Sequence, residues 1–205
     1  MKSSVRIWCL RHGESSNVVD GLCGAVPQAA LTAAGRMQAA AAGAALAVHD
    51  PAPARVYTST ALRAMQTAEI IATALGASVR PVPLDELVEV GIGSSEGAAD
   101  ATTRAETARV LHAWTVLGDL NARVADGETG HQVIARMRVA LDGIAEQNPG
   151  GTAVLVGHVA SLTAALSGLC GIGDQVWGRP LPHAIPFVVD RSERAWRCCS
   201  WPAPA

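Results

Sequence analysis

Arg11 and His12 directly follow an apolar run, Val5, Ile7, Trp8, Cys9 and Leu10, and lead into Gly13, Glu14 and Ser15. A buried strand that ends on Arg-His-Gly brings a permanent cation, a titratable imidazole and a flexible backbone to the strand's carboxyl end, where open α/β sheets hold their ligands. Arg63, Glu89 and His158 each fall just beyond another predicted strand. Two guanidiniums are fork-shaped donors suited to a tetrahedral oxyanion, and helix N-termini nearby add backbone N–H groups. A neutral imidazole with one ring proton held by a backbone carbonyl can attack phosphorus through its other nitrogen. A second, protonated imidazole can donate to the phosphoryl oxygens. A carboxyl over the site can protonate a leaving alkoxide and then deprotonate the attacking water. This set predicts phosphoryl transfer that requires neither metal nor cofactor.

Each residue also has a plain reading. Arg11 and His12 alone would be polar residues in an exposed turn, with Gly13 at positive φ; His158 alone would be a satisfied core histidine, Arg63 a solvated helix residue and Glu89 one acid among several. Their common placement at strand ends reverses those odds. His49, His112, His131 and His183 lack such company, although His183, between Pro182 and Ala184, is placed to line a site. The five tryptophans read as core or interface residues.

The elements that must position these groups alternate strand with helix. Strands are expected at 5–10, 55–58, 79–82 and 153–157, and helices at 32–48, 62–75, 101–120, 129–147 and 160–169, with a closing hairpin from 184–189 and 195–200. Thr32 is a candidate N-cap, Ser59 and Thr60 are candidates for the next helix, and Glu128 is placed to favour the start of the helix after it. The loop 83–97 reads as acidic and mobile. Such alternation predicts an α/β fold, a three-layer α/β/α sandwich around a mostly parallel sheet. At 205 residues the chain fits one domain, with 94–124 as a cap or insert over the site.

A net charge of -2 with no basic or acidic block predicts no nucleic-acid partner and no attraction to an anionic membrane. Five cysteines without a Cys-x-x-Cys argue against a disulfide framework and a zinc site. With no apolar signal core and no segment long enough to span a bilayer, the expected location is cytoplasmic. Nothing in the chain fixes an oligomeric state, and a homo-oligomer stays open.

Six pieces stand in order along the chain: Leu10-Arg11-His12-Gly13-Glu14-Ser15, Leu31-Thr32-Ala33-Ala34-Gly35, residues 58–68 from Thr58 to Ala68, Leu87-Val88-Glu89 with Glu96-Gly97, Gly127-Glu128-Thr129, and Val154-Leu155-Val156-Gly157-His158. This ordered set resembles the histidine phosphatase superfamily, which contains cofactor-dependent phosphoglycerate mutases and many small phosphatases. The resemblance implies a phosphoglycerate mutase-like fold, His12 as a nucleophile that becomes phosphohistidine, and a phosphate pocket of Arg11, Arg63 and His158. It places Glu89 at the proton donor, with Glu86 as the competitor, and Asn17 near the family's pocket asparagine, one residue early. The loop Gly93-Ser94-Ser95-Glu96-Gly97 departs from relatives that carry Trp before Glu-Gly, as do Gly157 and Val159 around His158. The activity expected is hydrolysis of a small phosphomonoester. A phosphoglycerate-type mutase and a non-catalytic phosphate-binding module are the alternatives, and Thr102 to Arg109 holds only Arg104 and Arg109 where a mutase would carry a basic insertion. Specificity is expected to lie in 18–30 and 94–124, where charges are few.

Overall fold

The computed structural model describes residues 4–49, 51–193 and 195–203. Six strands, β1 (Val5–Arg11), β2 (Arg55–Ser59), β3 (Pro81–Leu84), β4 (Thr152–Gly157), β5 (Phe187–Ser192) and β6 (Ala195–Cys198), form one sheet in the order β3-β2-β4-β1-β5-β6. The first four in that order run parallel, and β5 and β6 complete the edge as an antiparallel pair. The mostly parallel α/β sheet of the sequence reading is therefore the fold.

Alternation along the central strands builds two cores. Ile7, Cys9, Ala153 and Leu155 face one side and pack with Met137, Leu141 and Ile144 of α5 (Gly130–Gln147) and Leu162 and Leu166 of α6 (Val159–Cys170). Leu10, Val56, Val154 and Val156 face the other, against Leu46 of α2 (Ala33–Ala47) and Ala64, Ala68 and Ile71 of α3 (Leu62–Leu75). Strands buried on both faces need apolar residues at successive positions, which is why Val154, Leu155 and Val156 run without a break. Each such Leu or Ile removed from water contributes roughly 1.5–3 kcal/mol. Small residues set the spacing of α2 and α3: a Cβ on Gly43 would stand 2.9 Å from the Ala74 methyl.

Several local expectations are corrected. The third strand starts at Pro81 instead of Val79, because Val79 N–H closes the turn after α3 on the Gly76 carbonyl. The helix expected through 120 is α4 (Ala101–His112), which loosens into one π turn over 113–117 and stops at Gly118, φ 72°. Thr32 does cap α2 by accepting from Gly35 N–H, but α3 begins after Ala61, and Ser59 and Thr60 are not its caps. The strand expected from Ala184 starts at Phe187, because Ala184 adopts φ 51° and donates its N–H to Arg11 O. Two short helices, α1 (Ser16–Val19) and α7 (Gly173–Val176), fall where no helix was expected.

Candidate active site

The carboxyl ends of β1, β2 and β4 converge, and with them Arg11, His12, Ser59 and His158; Arg63 reaches in from the first turn of α3. His12 is buried, and its ring is fixed at both nitrogens. Nδ1 donates to Gly13 O at 2.6 Å, and Nε2 accepts from Arg63 Nε at 3.0 Å. A carbonyl can only accept and a guanidinium can only donate, so the ring is neutral and its lone pair is on Nε2. Burial pushes the His12 pKa well below the ordinary imidazole value, and Arg63 pushes it further.

Gly13 is glycine for a different reason from a positive φ. Its backbone is pressed against Gly35, whose carbonyl a Cβ would strike, and a Cβ on Gly35 would in turn strike the Glu14 carbonyl. The turn is held from outside: Thr67 Oγ1 accepts from Gly13 N–H at 3.1 Å, Gln38 Oε1 accepts from Glu14 N–H at 2.8 Å, and Thr32 Oγ1 donates to Glu14 Oε1 at 2.7 Å.

Arg63 is almost fully committed. Nε donates to His12, Nη1 to Val26 O at 2.8 Å, and Nη2 to both Ala25 O at 2.8 Å and His158 Nδ1 at 3.2 Å. Val26 sits at φ 34°, an uncommon conformation for a β-branched residue, and Arg63 takes its carbonyl. Arg11 is the freer cation. Its Nη1 donates to Leu181 O at 3.2 Å, and its buried Nε has no partner among the described residues.

Because Arg63 can only donate, His158 accepts on Nδ1 and donates from Nε2 to Ser59 Oγ at 2.8 Å. His158 is thus neutral, with a pKa driven well below the ordinary value by burial, then by His12 and Arg63. Its ring centroid is 5.1 Å from that of His12, yet it stands behind Arg63 and is not on the cavity wall. The protonated donor imagined from sequence is not its state here.

Glu89 lines the cavity, and Glu86 does not. The Glu89 carboxylate accepts from the first-turn N–H groups of α6, Ala160 at 3.2 Å and Ser161 at 2.8 Å, and from its own neighbour Val90 at 3.0 Å. The loop around it is tied down rather than mobile. Arg136 donates to the carbonyls of Glu86, Val88 and Glu89, and pairs with Glu128, which also accepts from Gly91 N–H at 2.8 Å. Burial raises the Glu128 carboxyl, but the bonds from Arg136 and Gly91 outweigh it and leave the pKa below its ordinary value. Thr129 and Gln132 cap α5 through a capping box, so the start of that helix does not depend on Glu128.

Asn17 is buried and lines the cavity; its Oδ1 accepts from Ser15 Oγ at 2.7 Å. His183 donates from Nδ1 to His12 O at 3.1 Å, bracing the backbone of the site from behind. Sequence reasoning missed Ser59, whose role depends on a histidine 99 residues away, and the amide pair of Ala160 and Ser161. The amides left no local signal, since Glu89 lies 71 and 72 residues before them in the chain.

The cavity encloses about 200 Å³. Arg11, His12, Arg63 and Glu89 occupy one end, and the opposite wall comes from Leu22, Ile92, Val110, Leu111, Trp114 and Val124. Among the described residues no cluster of three or more His, Cys, Asp or Glu could hold a metal ion, and no helix is long and apolar enough to cross a membrane.

Comparison with known proteins follows this geometry. The profile of the histidine phosphatase superfamily (branch 1) matches residues 7–203. The probable phosphoglycerate mutase GpmB of Yersinia enterocolitica is 28% identical over 96% of this chain and 90% of its own length, and that of Erwinia tasmaniensis 30% over the same shares. Among solved structures, a mycobacterial glucosyl-3-phosphoglycerate phosphatase in complex with VO3 superposes with a TM-score of 0.77 at 25% identity, covering 97% of this chain and 98% of that one. A phosphoglycerate mutase from Bacillus anthracis superposes at 0.82 with 16% identity, covering 98% and 93%, and shares the fold. With a profile spanning almost its whole length and the Arg-His-Gly, Arg63, Glu89 and His158 positions gathered at one sheet edge, this chain belongs to the histidine phosphatase superfamily.

Proposed function

We propose that the protein is a metal-independent phosphomonoesterase that works through a phosphohistidine on His12 Nε2. The observation that carries the reading is the His12 ring itself, neutral, buried, held through Nδ1–H by Gly13 O, and with its Nε2 lone pair at the charged end of the cavity. An arriving phosphoryl group takes the Nε–H of Arg63 onto one of its oxygens, which frees the lone pair for in-line attack. The N–P bond forms as the P–O bond to the alcohol breaks, and Glu89, protonated from solvent before this first step, gives the departing alkoxide its proton. Water then attacks phosphorus and passes its proton to Glu89; the N–P bond breaks, and inorganic phosphate leaves. Arg11, with donors to spare, and the Asn17 amide stabilise the transferring oxygens. His158 orients Arg63 by accepting from its Nη2 on Nδ1, and Ser59 fixes the ring from the other side. Residues 94–124 act as the cap. The free thiols suit a reducing compartment, and we place the enzyme in the cytoplasm.

The names of the curated relatives favour a second reading, a phosphoglycerate-type mutase that returns the phosphoryl group to substrate. Against it, Arg104 donates to the carbonyls of Gly21 and Ala99, Arg109 pairs with Glu106, and neither lines the cavity. Phosphate release from a broad panel of phosphomonoesters in EDTA, native protein against His12→Ala, tests the proposal. Release that survives EDTA and disappears in the variant supports it; EDTA-sensitive release indifferent to His12 refutes it. Strong stimulation by a bisphosphorylated sugar acid, with phosphoryl return to substrate, would select the mutase.

A further inference from the structure

The wall opposite the phosphate end differs from the rest of the site in kind. Leu22, Ile92, Val110, Leu111, Trp114 and Val124 meet there, and the polar side chains among them are already satisfied within the protein. Trp114 Nε1 donates to Ala122 O at 2.8 Å, so the indole presents carbon to the cavity. Its ring is fixed by Gly130, where a Cβ would lie 2.9 Å from the indole. The Thr107 hydroxyl donates back to Arg104 O at 2.8 Å. The one charge on this side, Glu128, is an anion paired with Arg136. None of the cations of 94–124, Arg104, Arg109 and Arg123, lines the cavity.

We infer that the alcohol carried by the substrate is short, uncharged and apolar, and that Leu111 and Trp114 are the residues that select it. The inference deepens the phosphomonoesterase reading and rests on it. Two physical arguments give it direction. A substrate carboxylate placed against this wall would lose its hydration, find no cation, and lie near the Glu128 carboxylate, all of which oppose binding. Beyond the charged end, a sugar would find only Asn17, the Thr107 oxygen and Glu128 as side-chain partners on the lining, fewer than its hydroxyls need, with a cost for each group left unpaired. Size adds a bound. A cavity of about 150 Å³ accommodates a benzene-sized molecule, and this one, at about 200 Å³, must also admit the phosphate. At the same room per heavy atom it holds about eight heavy atoms, of which the phosphate takes about five, so the alcohol it encloses is on the order of three or four carbon atoms. Each methylene buried on the wall adds about fourfold to kcat/KM.

The test is kcat/KM for a series of primary alkyl phosphates from ethyl to hexyl, whose leaving groups are nearly equal in basicity, with phosphoglycolate set against the near-isosteric propyl phosphate. The expected result is a rise of about fourfold per methylene until the cavity is filled, and a preference of at least about a hundredfold for propyl phosphate over phosphoglycolate. Leu111→Arg, at a half-buried position that tolerates a long side chain, is expected to narrow that preference by about tenfold or more and to flatten the series. Trp114→Ala is expected to flatten it too; if that variant does not fold, Leu111→Ala gives the same readout. Hydrolysis throughout the series with no dependence on length, or with phosphoglycolate preferred, overturns this inference and leaves the phosphatase reading standing. No hydrolysis of any phosphomonoester, p-nitrophenyl phosphate included, overturns both.

Discussion

The two ends of the cavity are built by different rules. At the charged end all but Arg11 are held by fixed partners: His12 between Gly13 O and Arg63, Arg63 across the Ala25 and Val26 carbonyls, His158 between Arg63 and Ser59, and Glu89 on the α6 amides. At the other end, carbon faces the cavity and polar atoms turn inward to their own backbone. Strand ends supply Arg11, His12 and His158 at the first, and α4 with its π turn supplies Val110, Leu111 and Trp114 at the second. Reaction chemistry needs groups held in place, which parallel strands and helix starts provide. Selection of an apolar alcohol needs shape and the absence of competing donors, which substitutions in 94–124 can change without touching the first end.

If the ends are separable in this way, removing His12 should erase turnover and leave the wall intact. His12→Ala is expected to lower kcat by at least about 10⁴-fold, while binding of alkyl phosphonates keeps its dependence on chain length, as measured by calorimetry. Loss of that dependence would show the ends to be coupled. Glu89→Gln probes the seam between them, since the proposed mechanism has Glu89 protonate the leaving group. A loss of about 10²–10³-fold is expected on alkyl phosphates and less than about tenfold on activated aryl phosphates, which depart without a proton. Equal losses on both would assign Glu89 a positioning role at the helix start.

A third contrast uses pH. His12 and His158 are both buried neutral, with pKa values far below the unfolded value of about 6.5. Below that value the unfolded chain takes up protons that the native site refuses, so stability is full above about pH 6.5 and declines as pH falls. From about pH 7.5 to 5.5 the two rings together are expected to cost at most about 3 kcal/mol, measurable by denaturant unfolding. Over the same range kcat/KM should not lose the nucleophile to protonation, since His12 stays neutral; an acid limb centred near 6.5 that His12 alone explains would contradict the site geometry. Smallest in scale, Ser59→Ala removes the acceptor of His158 Nε2–H and leaves a buried donor unpaired, at about 1–3 kcal/mol of stability. A rotated His158 would release Arg63, so kcat should fall while the slope of the alkyl series stays unchanged.

Much of the phosphate end was legible because it is coded by local order. Val5 to Leu10 followed by Arg-His-Gly, and Val154 to Gly157 followed by His158, are strand-then-ligand patterns that read directly from periodicity. Glu89 and Arg63 were legible in type and in order along the chain. The reason for Gly13 was not, since a contact with Gly35 involves a residue 22 positions on and no change in φ preference. From sequence Ser59 reads as a helix cap because a hydroxyl before a helix usually is one; its partner His158 is visible only once β2 and β4 lie side by side. The loop 83–97 looked mobile from its acids and glycines, and it is Arg136, on α5, that fastens it.

By itself, then, the sequence determined the layers of the fold, the edge at which chemistry gathers and the residue types delivered there, because strand periodicity and the residue after each strand are properties of neighbours in the chain. The tertiary structure alone decided which nitrogen of His12 is free, that His158 stands neutral behind Arg63, and that the far wall offers carbon rather than cations. Those are outcomes of which donor meets which acceptor across β2, β4, α3 and α5, and a hydrogen bond between distant residues leaves no period in the chain that could announce it.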